Sequence, residues 1–408
     1  MEMPGRCKSC EEFISLWIDR YPCIIPFKLE NDPTLGAFPS ESSIVVASAH
    51  SVKSFGVRGK RLLQETCTKD FKSRCTCAAW NGAFSSLFLG FQNGAIFSWK
   101  EREGFRRLSN KKSHSPVSCI ESKSHMVASG TADGKISLFP CAATGKSIAG
   151  GTRAHVSPII CLRFVENGNF LASFGRDGIG KLWCVDRLDS PRHVVGDVQF
   201  PPSIVQVDRD ESKPEVFYIA SDKAIHIWDI RVGGISAVLS EPLSSSSSCS
   251  KNKRRIKCMK VLSSGSIVTG NSDGSLLYWP PCGSWNGIQV LAPSFIPITS
   301  IANDNFKFLL GWENGSLTLL SNTLQDCGVD EERLLTRLMS PIQSIELIRE
   351  DLVLVSERSG RVSGLDFSMD NDCIVVENNR TDAFLKWLNE TRGSGKVESS
   401  LVGKFWNS

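Results

Sequence analysis

A short motif returns eight times along this chain, and that recurrence constrains the fold more than any other feature. It is fullest in LASFGRDGIGKLW at 171–183, VASGTADGKISLF at 127–139 and IVTGNSDGSLLYW at 267–279. Fainter copies are LFLGFQNGAIFSW at 87–99, FYIASDKAIHIWD at 217–229, FLLGWENGSLTLL at 308–320, LVLVSERSGRVSG at 352–364 and IVVASAHSVKSFG at 44–56. Each sets two short runs rich in Val, Ile, Leu and aromatics around Asp-Gly, Asn-Gly or a substitute. Such a dipeptide supplies the positive φ angles of a tight hairpin turn. The turn positions are Ser51, Gly94, Gly134, Gly178, Lys223, Gly274, Gly315 and Gly360, separated by 43, 40, 44, 45, 51, 41 and 45 residues.

Ahead of the hairpins run further alternating stretches, such as SCI at 118–120, PIICLRF at 158–164 and IKCMKV at 256–261, and each period has room for one strand more. About four strands and no helix in such a period make one blade of a β-propeller. The expected fold is therefore all-β, a propeller of eight repeat units. It reads as eight blades, or as seven with a divergent first unit, because Ala49-His50-Ser51 stands where the first turn should be. CIIPFKL at 23–29 is expected to give the first blade its inner strand, and DCIVVEN at 372–378 to give the last blade an outer one. The ring should close, since open strand edges invite aggregation.

The fourth copy resembles a WD repeat. His155 precedes its inner strand, Ser173 lies on the next, Asp177 sits in the turn and Trp183 ends the third. In the WD-repeat family these residue types form a buried hydrogen-bond relay, and the resemblance implies that role here. Blade three offers His114, Ser129 and Asp133 with Phe139 in place of the Trp; blade six offers Thr269, Asp273 and Trp279 without the His. The resemblance spans roughly residues 43–367. His155 and Asp177 can also be read as a catalytic pair. The repetition by His114 and Asp133 one blade earlier favours a structural tie, since an active site has no reason to recur.

Composition narrows the classes. Forty-seven Lys+Arg against 43 Asp+Glu leave a net charge of +4, too little for a dedicated nucleic-acid or membrane-surface binder. No apolar run reaches the roughly 18 residues of a membrane helix. MEMPGRCKSCEEF lacks the basic-then-apolar pattern of a secretory leader. An intracellular protein, cytoplasmic and/or nuclear, is expected, with its fifteen cysteines as free thiols. Cys7, Cys10 and Cys23 fall one ligand short of a structural zinc site, and neither metal nor cofactor is expected. Flanking a propeller at 23–380 are an extension at 1–22 and a tail at 381–408. Phe13, Leu16 and Trp17 in the first, and Phe384, Trp387 and Leu388 in the second, have the spacing of short amphipathic helices. Such helices either pad the propeller or take a partner. EPLSSSSSCSKNKRR at 241–255 reads as a solvated loop.

No GxGxxG opening a helix, GxxxxGK[ST], HExxH or GxSxG is present. An enzyme and a nucleic-acid reader are both disfavoured, and the expected function is a non-catalytic scaffold or adaptor that binds other proteins. FRR at 105–107 is followed by Leu108 where the lipid-binding propeller signature needs Gly, so no membrane partner is expected. Candidate contacts at one shared turn are Gln92, Arg176, Trp312 and Glu313. Trp312, an aromatic beside charges, is the expected anchor, the alternative being a ring folded back on its own blade. Trp228-Asp229-Ile230-Arg231 resembles the WDxR box of WD-repeat substrate receptors that dock on the adaptor of cullin-4 ubiquitin ligases. The resemblance implies that Arg231 reaches from the rim to form charge-assisted hydrogen bonds with such an adaptor.

Overall fold

The alternating runs form strands and the Asp-Gly and Asn-Gly pairs form turns, with Gly94, Gly134, Gly178, Gly274 and Gly315 at φ between 76° and 82°. The computed structural model describes residues 25–366 except 29–33, 40–42, 59–60, 102, 109–114, 142–148, 166–167, 186–193, 202, 211–212, 241–253, 282–286, 305–306, 322–330, 350–351 and 360. Those residues build eight antiparallel sheets of four strands each. Blades 1 to 7 take consecutive strands within 34–70, 75–107, 117–153, 159–199, 204–240, 256–291 and 298–337. The first unit is a full blade, its turn being Ala49-His50 between Ser43–Ser48 and Ser51–Arg58. The terminal segments expected to be helical, the Cys7/Cys10/Cys23 set and 372–378 lie outside the described residues.

The eighth blade corrects two expectations. It is built from Ile342–Arg349, Leu352–Glu357 and Arg361–Asp366, and its outermost strand is Ile25–Lys28 from the other end of the chain. Ile25 faces Gly364 and Lys28 faces Arg361. The stretch at 23–29 is thus not the inner strand of blade 1; Thr34–Pro39 takes that place, and the outer position assigned to 372–378 is already filled. A sheet that takes strands from both ends of the chain ties those ends together by backbone hydrogen bonds within blade 8.

The inner strands repeat one distortion. In all eight blades the register against the second strand shifts between the first and third residues, from Thr34/Gly36 in blade 1 to Ile342/Ser344 in blade 8. Such a bulge bends and twists a strand, and the next blade packs against the bend. At Gly130 a Cβ would lie 2.8 Å from Cys119 Sγ and 2.9 Å from Ile159, and at Gly270 it would lie 2.7 Å from both Cys258 Sγ and Ile298. Glycine is required there by the close approach of the next inner strand. Hydroxyls on the bend tie the blades: Thr76 donates to Gly90 O and to Val117 O, Ser118 to Gly130 O and Ile159 O, and Thr299 to Gly311 O and Ile342 O. Apolar layers fill the seams, one shared by each successive pair from blades 1 and 2 to blades 7 and 8. Lower on the inner strands, Glu121, Arg163, Asp208 and Lys260 hold one position in blades 3 to 6 with alternating sign. Arg163 reaches Glu121 at 3.1 Å, and Asp208 accepts the Val261 N–H at 3.1 Å.

Candidate interaction surface

The polar relay is complete in blade 4. Trp183 Nε1 donates to Ser173 Oγ at 2.9 Å, Ser173 Oγ lies 2.8 Å from His155 Nε2, and His155 Nδ1 lies 3.2 Å from Asp177 Oδ1. The partners fix the tautomer: Nδ1 carries the proton toward the carboxylate, and Nε2 accepts from the serine hydroxyl. Burial pushes the His155 pKa down, Asp177 pulls it back up, and the net direction is downward. A neutral, fully partnered, buried imidazole is a tie, with no face left for a substrate. Gly175 leaves room for it, its missing side chain lying against His155 Nδ1.

Other blades keep fragments. In blade 6 Trp279 Nε1 donates to Thr269 Oγ1 at 3.1 Å, and Asp273 is held at 2.7 Å by Arg254. Arg254 belongs to the basic stretch expected as a solvated loop; it pairs with the turn carboxylate, as His155 does in blade 4. Burial pushes the Asp273 carboxyl up, but Ser275 and Arg254 hold it below its usual value. In blade 3 Asp133 turns to its own hairpin, accepting from Thr131 at 2.5 Å and pairing with Lys135 at 2.6 Å, while Ser129 Oγ donates to Ser137 O at 3.4 Å. His114 lies outside the described residues. Of the cysteines on the inner-strand bends, Cys258 is buried and Cys77, Cys119 and Cys161 are half-buried; burial pushes Cys77 and Cys258 up to about 12, which keeps both as thiols. Among the described residues no group of three or more His, Cys, Asp or Glu is placed to hold a metal.

Of the four turn residues expected as contacts, three are exposed: Gln92, Arg176 and Glu313. Trp312 is not the expected anchor. It is 7% exposed, and its Nε1 donates to Thr318 Oγ1 at 2.8 Å. The reason is its register. Trp312 faces Ile298 as Gly175 faces Ile159, so its indole fills the space that Gly175 leaves to His155. In the WDxR box Trp228 is buried among rings and offers no surface. Asp229 and Arg231 form a two-pronged pair, Nε at 3.0 Å and NH2 at 2.7 Å, with the Arg231 side chain 65% exposed.

Residues that the sequence reading passed over stand beside those turns. Val156, Phe295 and Met339 each precede the inner-strand isoleucines Ile159, Ile298 and Ile342 by three positions, and they are 79%, 85% and 63% exposed. Their alignment to those isoleucines was a signal that the turn motif alone does not show. Phe295 has φ 63°, a region that costs a bulky residue on the order of 1–3 kcal/mol. Its N–H is anchored to Asp273 O at 2.8 Å.

Comparison with known proteins matches the stretch from the outer strand of blade 3, Ala149–Arg153, through the third strand of blade 4, Ile179–Cys184. The profile of the WD domain, G-beta repeat, fits residues 147–184. No curated protein matches the chain. Among solved structures, Saccharomyces cerevisiae Sqt1 superposes with TM-score 0.67 at 10% identity, covering 84% of this chain and 98% of that one. The C-terminal WD40 domain of Sif2 gives 0.66 at 13% over 85% and 99%, and the computationally designed Ika8 protein 0.64 at 16% over 84% and 98%. Identities this low speak to fold alone. Residues 147–184 match the WD domain, G-beta repeat, and the described residues fold as a β-propeller of eight four-stranded sheets, the architecture that WD-repeat propellers take.

Proposed function

We propose that the chain is a non-catalytic scaffold that binds other proteins through the loops at one end of its blades. Propellers of this family are generally interaction platforms and generally not enzymes. One observation carries the reading: the polar side chains that recur are tied inside the blades, as in His155–Asp177 and Arg254–Asp273, while the residues that differ at the shared turn, Gln92, Arg176, Glu313 and Arg358, are exposed. Binding residues commonly sit on loops held by a rigid frame. The test is co-purification with a tagged chain. A reproducible set of proteins should be recovered, and Arg176→Glu with Arg358→Glu should deplete it. Recovery of no reproducible partner, or turnover of a substrate by purified protein, would overturn the reading.

A second reading, substrate receptor of a cullin-4 ligase, is supported by the exposed Arg231 side chain, already oriented by Asp229. Arg231→Ala should then abolish capture of the ligase adaptor; unchanged capture would exclude docking through this box.

A further inference from the structure

Among the described residues the turns between second and third strands and the residues that lead into the inner strands lie at one end of the blades, and the exposed charges there are lopsided. Arg74 and Arg255 are the last residues before the inner strands of blades 2 and 6, where blades 3, 4, 7 and 8 carry proline. Their carbonyls accept the N–H groups of Gln92 and Ser272, which fixes their backbones at the mouth of the ring. Arg176 and Lys223 are exposed on the turns of blades 4 and 5. None of these four cations makes an ion pair among the described residues. Most carboxylates of the same end are already engaged: Asp133 by Lys135, Asp177 by His155, Asp273 by Arg254 and Glu313 by Arg358. Among the described residues Asp70 and Asp222 remain on the surface there, while Glu357, opposite Ile342 at the same end, is buried. The face therefore carries more unpaired positive charge than the chain's net +4 reveals.

Apolar side chains stand out of this face as well. A phenyl ring held in solvent at 85% exposure by a left-handed backbone is an arrangement that folding does not reward. Met339 one blade on and Val156 in blade 4 also stand exposed at the same position, without the left-handed backbone. An occupant that bridges the cations and covers the apolar groups must carry both carboxylates and an apolar side chain. Val156 and Met339 have no ring to stack a base, and carboxylates lie between the cations, which favours a peptide over a nucleic acid.

Building on the scaffold reading, we propose that this face, through Arg74, Arg176, Lys223, Arg255, Phe295 and Met339, docks an Asp/Glu-rich peptide segment of a partner protein with an apolar side chain among its acids. The cations are distributed one to a blade, which suits carboxylates spaced along an extended segment better than a single concentrated phosphate.

Fluorescence anisotropy with short labelled peptides tests this on the full chain. The probes are an Asp/Glu-rich peptide with a central Phe, the same peptide with Gln for every acid, the same with Gly for Phe, and a single-stranded oligonucleotide. The acidic peptide should bind, and raising salt from about 50 to about 300 mM should weaken it steeply. The Gln version should lose about tenfold or more. Arg176→Glu with Lys223→Glu should lose about tenfold at an unchanged melting temperature. Phe295→Gly should lose several-fold while melting at the same temperature or higher, because glycine accepts the left-handed backbone. Equal binding of the neutral peptide, indifference to these substitutions, or tighter binding of the oligonucleotide through the same residues would overturn the proposal. If partners still co-purify while the acidic peptide fails, this inference alone falls; if no partner co-purifies either, the scaffold reading falls with it.

Discussion

Blades 4 and 5 are neighbours that each carry a buried tryptophan one residue before the end of the third strand, and they hold it in opposite ways. Trp183 donates to Ser173, which lies two residues beyond its cross-strand partner Leu171. Trp228 pairs with Phe217, and two residues beyond stands Ile219. The chain also enters the two blades differently. His155 and Phe200 each sit four residues before the inner strand and bond through their N–H to the turn glycine of the preceding blade, but Phe200 brings a phenyl ring where His155 brings a relay member. Blade 5 therefore surrounds Trp228 with Phe174, Phe200 and Phe217 at ring separations of 5.9, 6.1 and 5.8 Å. Its Nε1 has no hydrogen-bond partner. An orphaned donor costs about 1–3 kcal/mol, and aromatic pairs worth about 0.5–1.5 kcal/mol each offset it. Bulge, turn and blade packing set the shape of the blade; its interior can be filled by a polar chain or by rings. All four relay residues, His155, Ser173, Asp177 and Trp183, fall within 147–184, the span that the family profile matches.

The bluntest way to break that comparison is to remove each indole. Trp183→Ala and Trp228→Ala should each lower the unfolding free energy in urea by about 3–5 kcal/mol, since both leave a large cavity between blades. A loss under about 0.5 kcal/mol at either site would mean that the strand registers are wrong. Trp→Phe separates the two blades more finely. Trp183→Phe deletes a made hydrogen bond and should cost about 1 kcal/mol beyond its packing loss, whereas Trp228→Phe deletes an unsatisfied donor and should cost less. Equal losses would mean that Trp228 has found an acceptor. Finer still is to supply that acceptor. Ile219→Thr places a hydroxyl at the level of Ser173, and a double-mutant cycle with Trp228→Phe should then report a coupling of about 0.5–1.5 kcal/mol. A coupling of zero would show that the ring packing holds the indole out of reach.

The eight repeat units were legible because each hairpin encodes itself locally, in the turn dipeptide and the alternation around it; that the first of them makes a full blade was not, because Ala49-His50 lacks the turn glycine. The closure was not. Ile25–Lys28 pairs with Arg361–Asp366, and nothing in a four-residue apolar stretch says which of two blades it joins. The relay of blade 4 was readable because all four of its residue types are present in order. Arg254 was not, because a cation replaces a histidine within a run of charges that looks like a loop. Trp312 misled for a related reason: its neighbours suggested an interface, but its depth is set by a cross-strand register that places it in a slot a glycine leaves open elsewhere.

Acid is the gentlest probe of the two blades, and it separates them by their histidines. His155 and His226 are both buried, and burial holds both pKa values below the ordinary one. For His155 the Asp177 carboxylate works against that shift. His226 has only Ser221 at 3.5 Å from Nε2, and its Nδ1 has no hydrogen-bond partner. A histidine whose folded pKa is depressed binds its proton more readily when the chain is unfolded. Its stabilising contribution is therefore complete above an unfolded pKa of about 6.5, declines as pH falls below that value, and levels off beneath the folded pKa. Asp133, Asp229 and Asp273, whose pKa values are lowered, lose their contributions only as pH falls below about 4, so the two windows are distinct. His226→Phe adds a ring beside Phe200, which already lies 6.0 Å away. It should leave stability near about pH 8 almost unchanged and flatten the decline between about pH 6.5 and pH 5. His155→Phe should instead cost stability at every pH, because Ser173 and Asp177 lose their common partner. If His226→Phe leaves the acid slope as steep as before, the ring-lined interior of blade 5 is open enough to hydrate an imidazolium, and the contrast between the two blades fails at that point.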